Sequence, residues 1–141
     1  MTRSSFPIQE LIDFVNKHLN KVSLELGDID RQLSDGVYLI LLLGLLEGFF
    51  IPLYALNMTP KTFEERVKNL NLAFNIMRDL DIDVRSTRPE DIANLDLKST
   101  LRITYAIYTK YKYVQGSCVK LYLVQHIHTK YFFHFTQTRN T

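Results

Sequence analysis

The chain has 141 residues, 46% hydrophobic and 23% charged, a single-domain length with enough apolar content for a real core. One cysteine, Cys118, excludes an internal disulfide, and no charged start followed by an apolar segment marks a secretory signal, so the expected setting is a reducing, cytoplasmic one. The net charge of +2 conceals a division: residues 1–96 hold 10 Lys/Arg against 15 Asp/Glu, a balance of −5, while residues 97–141 hold 7 Lys/Arg and no acid, a balance of +7. That basic third either draws acidic partners or is a solvated surface.

From the N-terminus, Ile8, Leu11, Ile12, Val15 and Leu19 recur at helical spacing, with Pro7 at the start and Asn16, Lys17 and Asn20 left to face water. Gly27 and Asp28 break the pattern. The run from Val37 to Leu46 is then interrupted only by Gly44, with Ser34 or Asp35 positioned to cap it. Spanning a bilayer takes about 20 apolar residues, and this run is shorter and closed by Asp35 and Glu47. It reads instead as a helix buried on nearly every face, and its Gly44, Gly48 spacing carries little meaning outside a membrane span. Burying about eight large aliphatics there contributes roughly 12 to 24 kcal/mol gross.

Pro52, Asn57 and Thr59-Pro60 mark an irregular connection, and the Asn57-Met58-Thr59 glycosylation triplet reads as chance. Thr62 to Glu65 forms a capping box ahead of a helix in which Phe63, Val67, Leu70, Phe74 and Met77 repeat, ending near Leu80. Ile82 to Arg88 is a loop, and Pro89-Glu90-Asp91 suits the start of a short helical turn. Asp96 caps a last helix with Leu97, Leu101, Tyr105 and Tyr108 on the expected buried face, widened by Ile103 and Ile107, and Gly116 ends it. Its basic residues Lys98, Arg102, Lys110 and Lys112 form a positive strip. Beyond it the chain alternates with a period of two from Val119 to Phe135, so residues 116–141 read as a strand-like or irregular appendage of unknown role.

No GxxxxGK[ST], GxSxG, HExxH or CxxC motif is present, and an enzyme is not expected. His126, His128 and His134 share one face of the alternating segment, but only Cys118 lies near enough to complete a metal set or a thiol pair. Nucleic acid would need Tyr105, Tyr108, Tyr111 and Tyr113 available to stack on bases, whereas the helical spacing puts Tyr105 and Tyr108 inside.

The segments FVNKHLNK (Phe14 to Lys21), SDGVYLILLLGLLEG (Ser34 to Gly48), VKNLNLAFNIM (Val67 to Met77) and RPEDIANLDLKSTLRITYAIYTKYK (Arg88 to Lys112) resemble, in that order, a calponin-homology domain. Their wording, with DGVYL, NMTP and YTKY, is similar to the second such domain of the parvins over about residues 6–115. Phe14 and Tyr105 stand where most members carry tryptophans. The resemblance implies an all-α fold of four main helices plus short connecting helices, without catalysis or cofactor, acting as an adaptor at the cytoplasmic side of integrin adhesions. It implies integrin-linked kinase as a partner, the leucine-aspartate helices of paxillin as another, and actin as a weak, secondary one or, alternatively, as the main target.

An acidic amphipathic helix needs an apolar trough with basic rims. The first and last helices would form its walls, with Leu11 and Phe14 on the floor and, by resemblance, Arg3 and Lys112 pairing the guest's carboxylates. Lys98 and Arg102 would assist encounter, and Phe50 matches a family position facing the kinase. Three departures are expected to weaken the paxillin contact. Pro7 replaces the usual aliphatic residue, and only Met1 to Ser5 correspond to the linker helix that precedes this domain in parvins, while Gly116 to Thr141 has no counterpart there.

Overall fold

The computed structural model describes residues 7–113, which form α1 (Ile8–Leu19), α2 (Ile29–Gln32), α3 (Val37–Glu47), α4 (Phe63–Asp79), α5 (Pro89–Ala93) and α6 (Leu97–Tyr111), with single 3-10 turns at Asn20–Val22 and Leu53–Ala55. The domain is all-α, and no strand occurs among the described residues. The expectations for Arg3, for the alternating segment and for its histidines fall outside them.

The centre of the bundle is α3, packed against α1 and α4. Leu39, Ile40, Leu42, Leu43 and Leu46 are all at most 2% exposed, so the apolar run is the core, and no described helix is long and apolar enough to cross a membrane. Its two glycines serve the chain reversal that follows it. Gly48 adopts φ +80, and the N–H groups of Gly48 and Phe49 both donate to the Gly44 carbonyl, at 2.7 and 3.0 Å. The Phe49 carbonyl then folds back over Gly44, where an added Cβ would collide with it. The start of α3 also departs from expectation. Gly36 is the N-cap at φ +82, Asp35 Oδ1 accepts from the Val37 N–H at 2.9 Å, and the Ser34 hydroxyl donates to the Arg31 carbonyl instead of capping.

Around this centre α4 behaves as its sequence predicts. Thr62 and Glu65 make the reciprocal capping box, and Leu70, Phe74 and Met77 are buried. On α1 the stripe Leu11, Val15, Leu19 is buried, but Asn16 does not face water. Its side chain donates to the Leu26 carbonyl at 2.9 Å and accepts from the Leu26 N–H at 2.6 Å, fastening the irregular segment after α1 as a strand neighbour would.

The largest correction concerns α6. Its buried face is Ser99, Thr100, Ile103, Thr104, Ile107 and Tyr111, while Leu97 and Tyr105 are 40% and 42% exposed and Leu101 and Tyr108 lie at the boundary. Ile103 and Ile107 are buried as expected, but counting large apolar side chains centred the buried face on the wrong residues because two threonines count as polar. In the helix the Thr100 and Thr104 hydroxyls donate to the carbonyls four residues back, at 2.9 and 2.8 Å, and so enter the core with their polarity satisfied. The helix also ends at Tyr111, ahead of Gly116.

Candidate partner-binding surface

With its buried stripe reassigned, α6 turns Lys98, Arg102, Tyr105 and Lys112 outward on one face, since steps of four, three and seven residues return to nearly the same angle. At 1.5 Å per residue this strip runs about 21 Å along the domain. Lys110 lies on a different side of the helix. At the strip's start the Asp96 carboxyl, the N-cap of α6, is held below the usual carboxylate range by hydrogen bonds from Ser99, with Arg102 and Lys98 adding a smaller attraction.

The other end of the strip is aromatic and abuts α1. The half-buried Phe14 ring meets Tyr108 edge-on at 5.2 Å between centroids and His18 in the same way at 5.2 Å. Tyr105 stacks on Tyr108 at 6.2 Å with 27° between the planes. The Lys112 ammonium lies 5.3 Å from the Tyr108 ring centroid and 5.0 Å from that of Tyr113, which is 83% exposed. Each such cation–π contact contributes about 0.5 to 1 kcal/mol at an exposed site, so Lys112 is held at the edge of the aromatic cluster and not left to sweep through solvent. The burial of Tyr105 and Tyr108 therefore no longer argues against base stacking. The Tyr108 ring is instead engaged by Phe14, Tyr105 and Lys112 together.

Phe50 occupies a separate display. The reversal built on Gly44 and Gly48 buries Phe49, 2% exposed, and throws the next residue outward, so that Phe50 is 69% exposed. Beyond it the exposed Tyr54 and Met58, with Asn57, Glu65 and Lys68, line a depression of about 490 Å³. No group of three or more His, Cys, Asp or Glu side chains suited to a metal occurs among the described residues.

The site residues expected from the sequence thus separate into groups. Phe14 and Lys112 are brought together through Tyr108, and Lys98 and Arg102 lie on the same outward face of α6. Pro7, exposed, is the residue before α1. Leu11 is 1% exposed, enclosed by the core, so its side chain supports the wall between α1 and α6 from behind instead of offering a floor to a guest. Tyr105 was expected inside and is instead a surface group; basic residues at helical spacing around it, Lys98, Arg102 and Lys112, were the signal available.

Comparison with known proteins places these features in a family. A family model for the calponin homology (CH) domain matches residues 7–113. Beta-parvin of Mus musculus is 53% identical over 107 residues, covering 76% of this chain and 29% of that protein. Paralyzed arrest at two-fold protein 6 of Caenorhabditis elegans is 51% identical over 104 residues, covering 74% and 28%. Gamma-parvin of Mus musculus is 41% identical over 105 residues, covering 74% and 32%. The chain therefore spans about a third or less of the length of these curated relatives.

Proposed function

The chain belongs to the calponin homology domain family and, within it, to the parvins, and on that premise we propose that it is a non-catalytic adaptor of integrin adhesions that joins integrin-linked kinase to the actin cytoskeleton. Residues 6–115 form the interaction module, at work in the cytoplasm at cell-matrix adhesions. The observation that carries this reading is Phe50, an aromatic ring projected into solvent by a glycine-built turn while its neighbour Phe49 is buried. An exposed aromatic on a rigid mount loses little conformational entropy on docking, which suits a binding hot spot.

The second surface, α1 with the outward face of α6, fits an amphipathic helix that carries leucines flanked by acids, the chemistry of paxillin's leucine-aspartate motifs. Phe14 and Tyr108 offer apolar area and Lys112 a fixed positive charge, with Lys98 and Arg102 steering the approach. Actin is a weaker, secondary partner. Titration of the protein with an integrin-linked kinase domain tests the first contact: Phe50→Ala should weaken binding by about tenfold or more, and the wild-type complex should survive moderate salt. Unchanged affinity in Phe50→Ala would remove the kinase contact from that turn. A leucine-aspartate peptide tests the second, with Lys112→Glu expected to weaken it without unfolding the domain. Actin co-sedimentation should be modest and salt-sensitive.

A further inference from the structure

The ends of α3 and α6 are joined by a buried bond that the docking contacts above do not use. The Tyr111 hydroxyl donates to Glu47 Oε2, with Glu47 1% and Tyr111 6% exposed, and Glu47 Oε1 has no hydrogen-bond partner among the described residues. A carboxylate taken out of water with so few donors is an expensive way to fill a core, and an apolar pair of the same volume there is often as stable or more so. Burial, and after it the bond to Glu47, raise the pKa of the Tyr111 hydroxyl, so it stays protonated and remains a donor.

The position of the pair is more telling than its energy. Glu47 is the last residue of α3, immediately before the Gly48–Phe49 reversal that projects Phe50. Tyr111 is the last residue of α6, immediately before Lys112, whose ammonium rests over Tyr108 and Tyr113. One hydrogen bond thus ties together the two helix ends from which the two docking surfaces are displayed. Each end is otherwise held by its own local bonds, Gly48 and Phe49 N–H to the Gly44 carbonyl and Lys112 N–H to the Tyr108 carbonyl at 2.9 Å.

We propose that Glu47 and Tyr111 are positioning residues that couple the Phe50 turn to the Lys112–Tyr108 cluster, so that a protein docked at one surface changes affinity at the other. The consequence for partners rests on the docking reading above; the coupling itself does not. Amide hydrogen exchange tests the coupling with no partner present, because variants on each helix can be read on the other. Tyr111→Phe removes the donor and should reduce the protection of the Gly48 and Phe49 amides about tenfold, the equivalent of one buried hydrogen bond, beyond the general loss seen in an Ile92→Val control on α5. Glu47→Gln keeps an acceptor oxygen and should give a smaller loss, read at the Lys112 amide. If each variant changes only its own helix end, the link does not exist. Should Tyr111→Phe fail to fold, the Lys112 amide in Glu47→Gln decides the matter alone.

With the link shown, saturating integrin-linked kinase domain should shift the affinity for an acidic leucine-aspartate peptide by at least about fivefold in the wild type and not in Tyr111→Phe. An equal shift in both proteins would overturn the coupling. If neither ligand binds the wild type, the docking reading fails while the exchange result still stands or falls by itself.

Discussion

Asn69 offers the sharpest test of how the domain is held. It lies in α4 at 3% exposure, and every hydrogen-bonding group of its amide is used. Nδ2 donates to the Asp35 carbonyl at 3.0 Å and to the Asn57 carbonyl at 2.7 Å, and Oδ1 accepts from the Asn57 N–H at 3.1 Å. One side chain therefore pins α4 both to the turn before α3 and to the connection that follows Phe50. Asn69→Ala deletes three bonds. At a net contribution of about 0.5 to 1.5 kcal/mol each, with Asn57 exposed and able to recover water, the expected loss is roughly 2 to 4 kcal/mol. For a domain of this length about 5 °C is lost per kcal/mol, so the melting temperature should fall by roughly 10 to 20 °C. Urea titration followed by far-ultraviolet circular dichroism measures the loss directly, and the midpoint should fall with the slope unchanged, since the same surface is exposed on unfolding. A loss below about 0.5 kcal/mol, the range of ordinary surface substitutions, would refute the claim that this amide holds the loops to α4. Gly36→Ala probes the same junction from the other side: its Cβ would lie 2.7 Å from the Asn69 Cβ, at a backbone φ of +82 that disfavours alanine, so it should also destabilise.

Gly44→Ala should cost about 1 to 3 kcal/mol despite alanine's better helix propensity, because the new methyl meets the Phe49 carbonyl, a backbone atom with nowhere to go; equal or greater stability by urea titration would contradict the reversal described here. Leu42→Asp, at a position 0% exposed, should abolish folding, and a melting curve like that of the parent would mean α3 is not the centre of the domain. Acid should destabilise the protein. Glu65, Asp83 and Asp96 have folded pKa values below their ordinary ones, chiefly through hydrogen bonds from the Lys61 and Thr62 N–H groups, from Arg85 and from Ser99. Their stabilisation is thus complete above the unfolded carboxylate values near about 4 and is lost as pH falls through the lower folded values. Asp35 opposes them: burial raises its pKa, so its cost is present once it ionises and vanishes in acid. Melting temperatures measured from pH 6 down to 2 should therefore fall below about pH 4, more steeply in Asp35→Asn, and a flat profile would contradict these assignments.

Much of this molecule was legible in the chain itself. The length and purity of the run from Val37 to Leu46, bounded by charges, set it inside a helical bundle, and the capping box at Thr62–Glu65 and the Asp96 cap are local devices whose partners lie three residues away. Lys112 was equally readable as a surface group from its charge. Phe50 was not, because Phe49 and Phe50 both follow the closing glycine and only the folded reversal buries the first and exposes the second. What local pattern could not decide was which way α6 turns and what its polar residues do. Thr100 and Thr104 enter the core because backbone carbonyls one turn back satisfy them, and their burial carries Tyr105 outward to the centre of the basic strip. Glu47 read only as the charged close of the apolar run, yet it is buried against Tyr111, 64 residues away. Asn16, Asn69 and Glu47 share this reason. A polar side chain's place depends on a partner far along the sequence, so periodicity determined the helices and the core, while only the tertiary packing decided which polar groups are sealed inside and which aromatic rings are left on the surface.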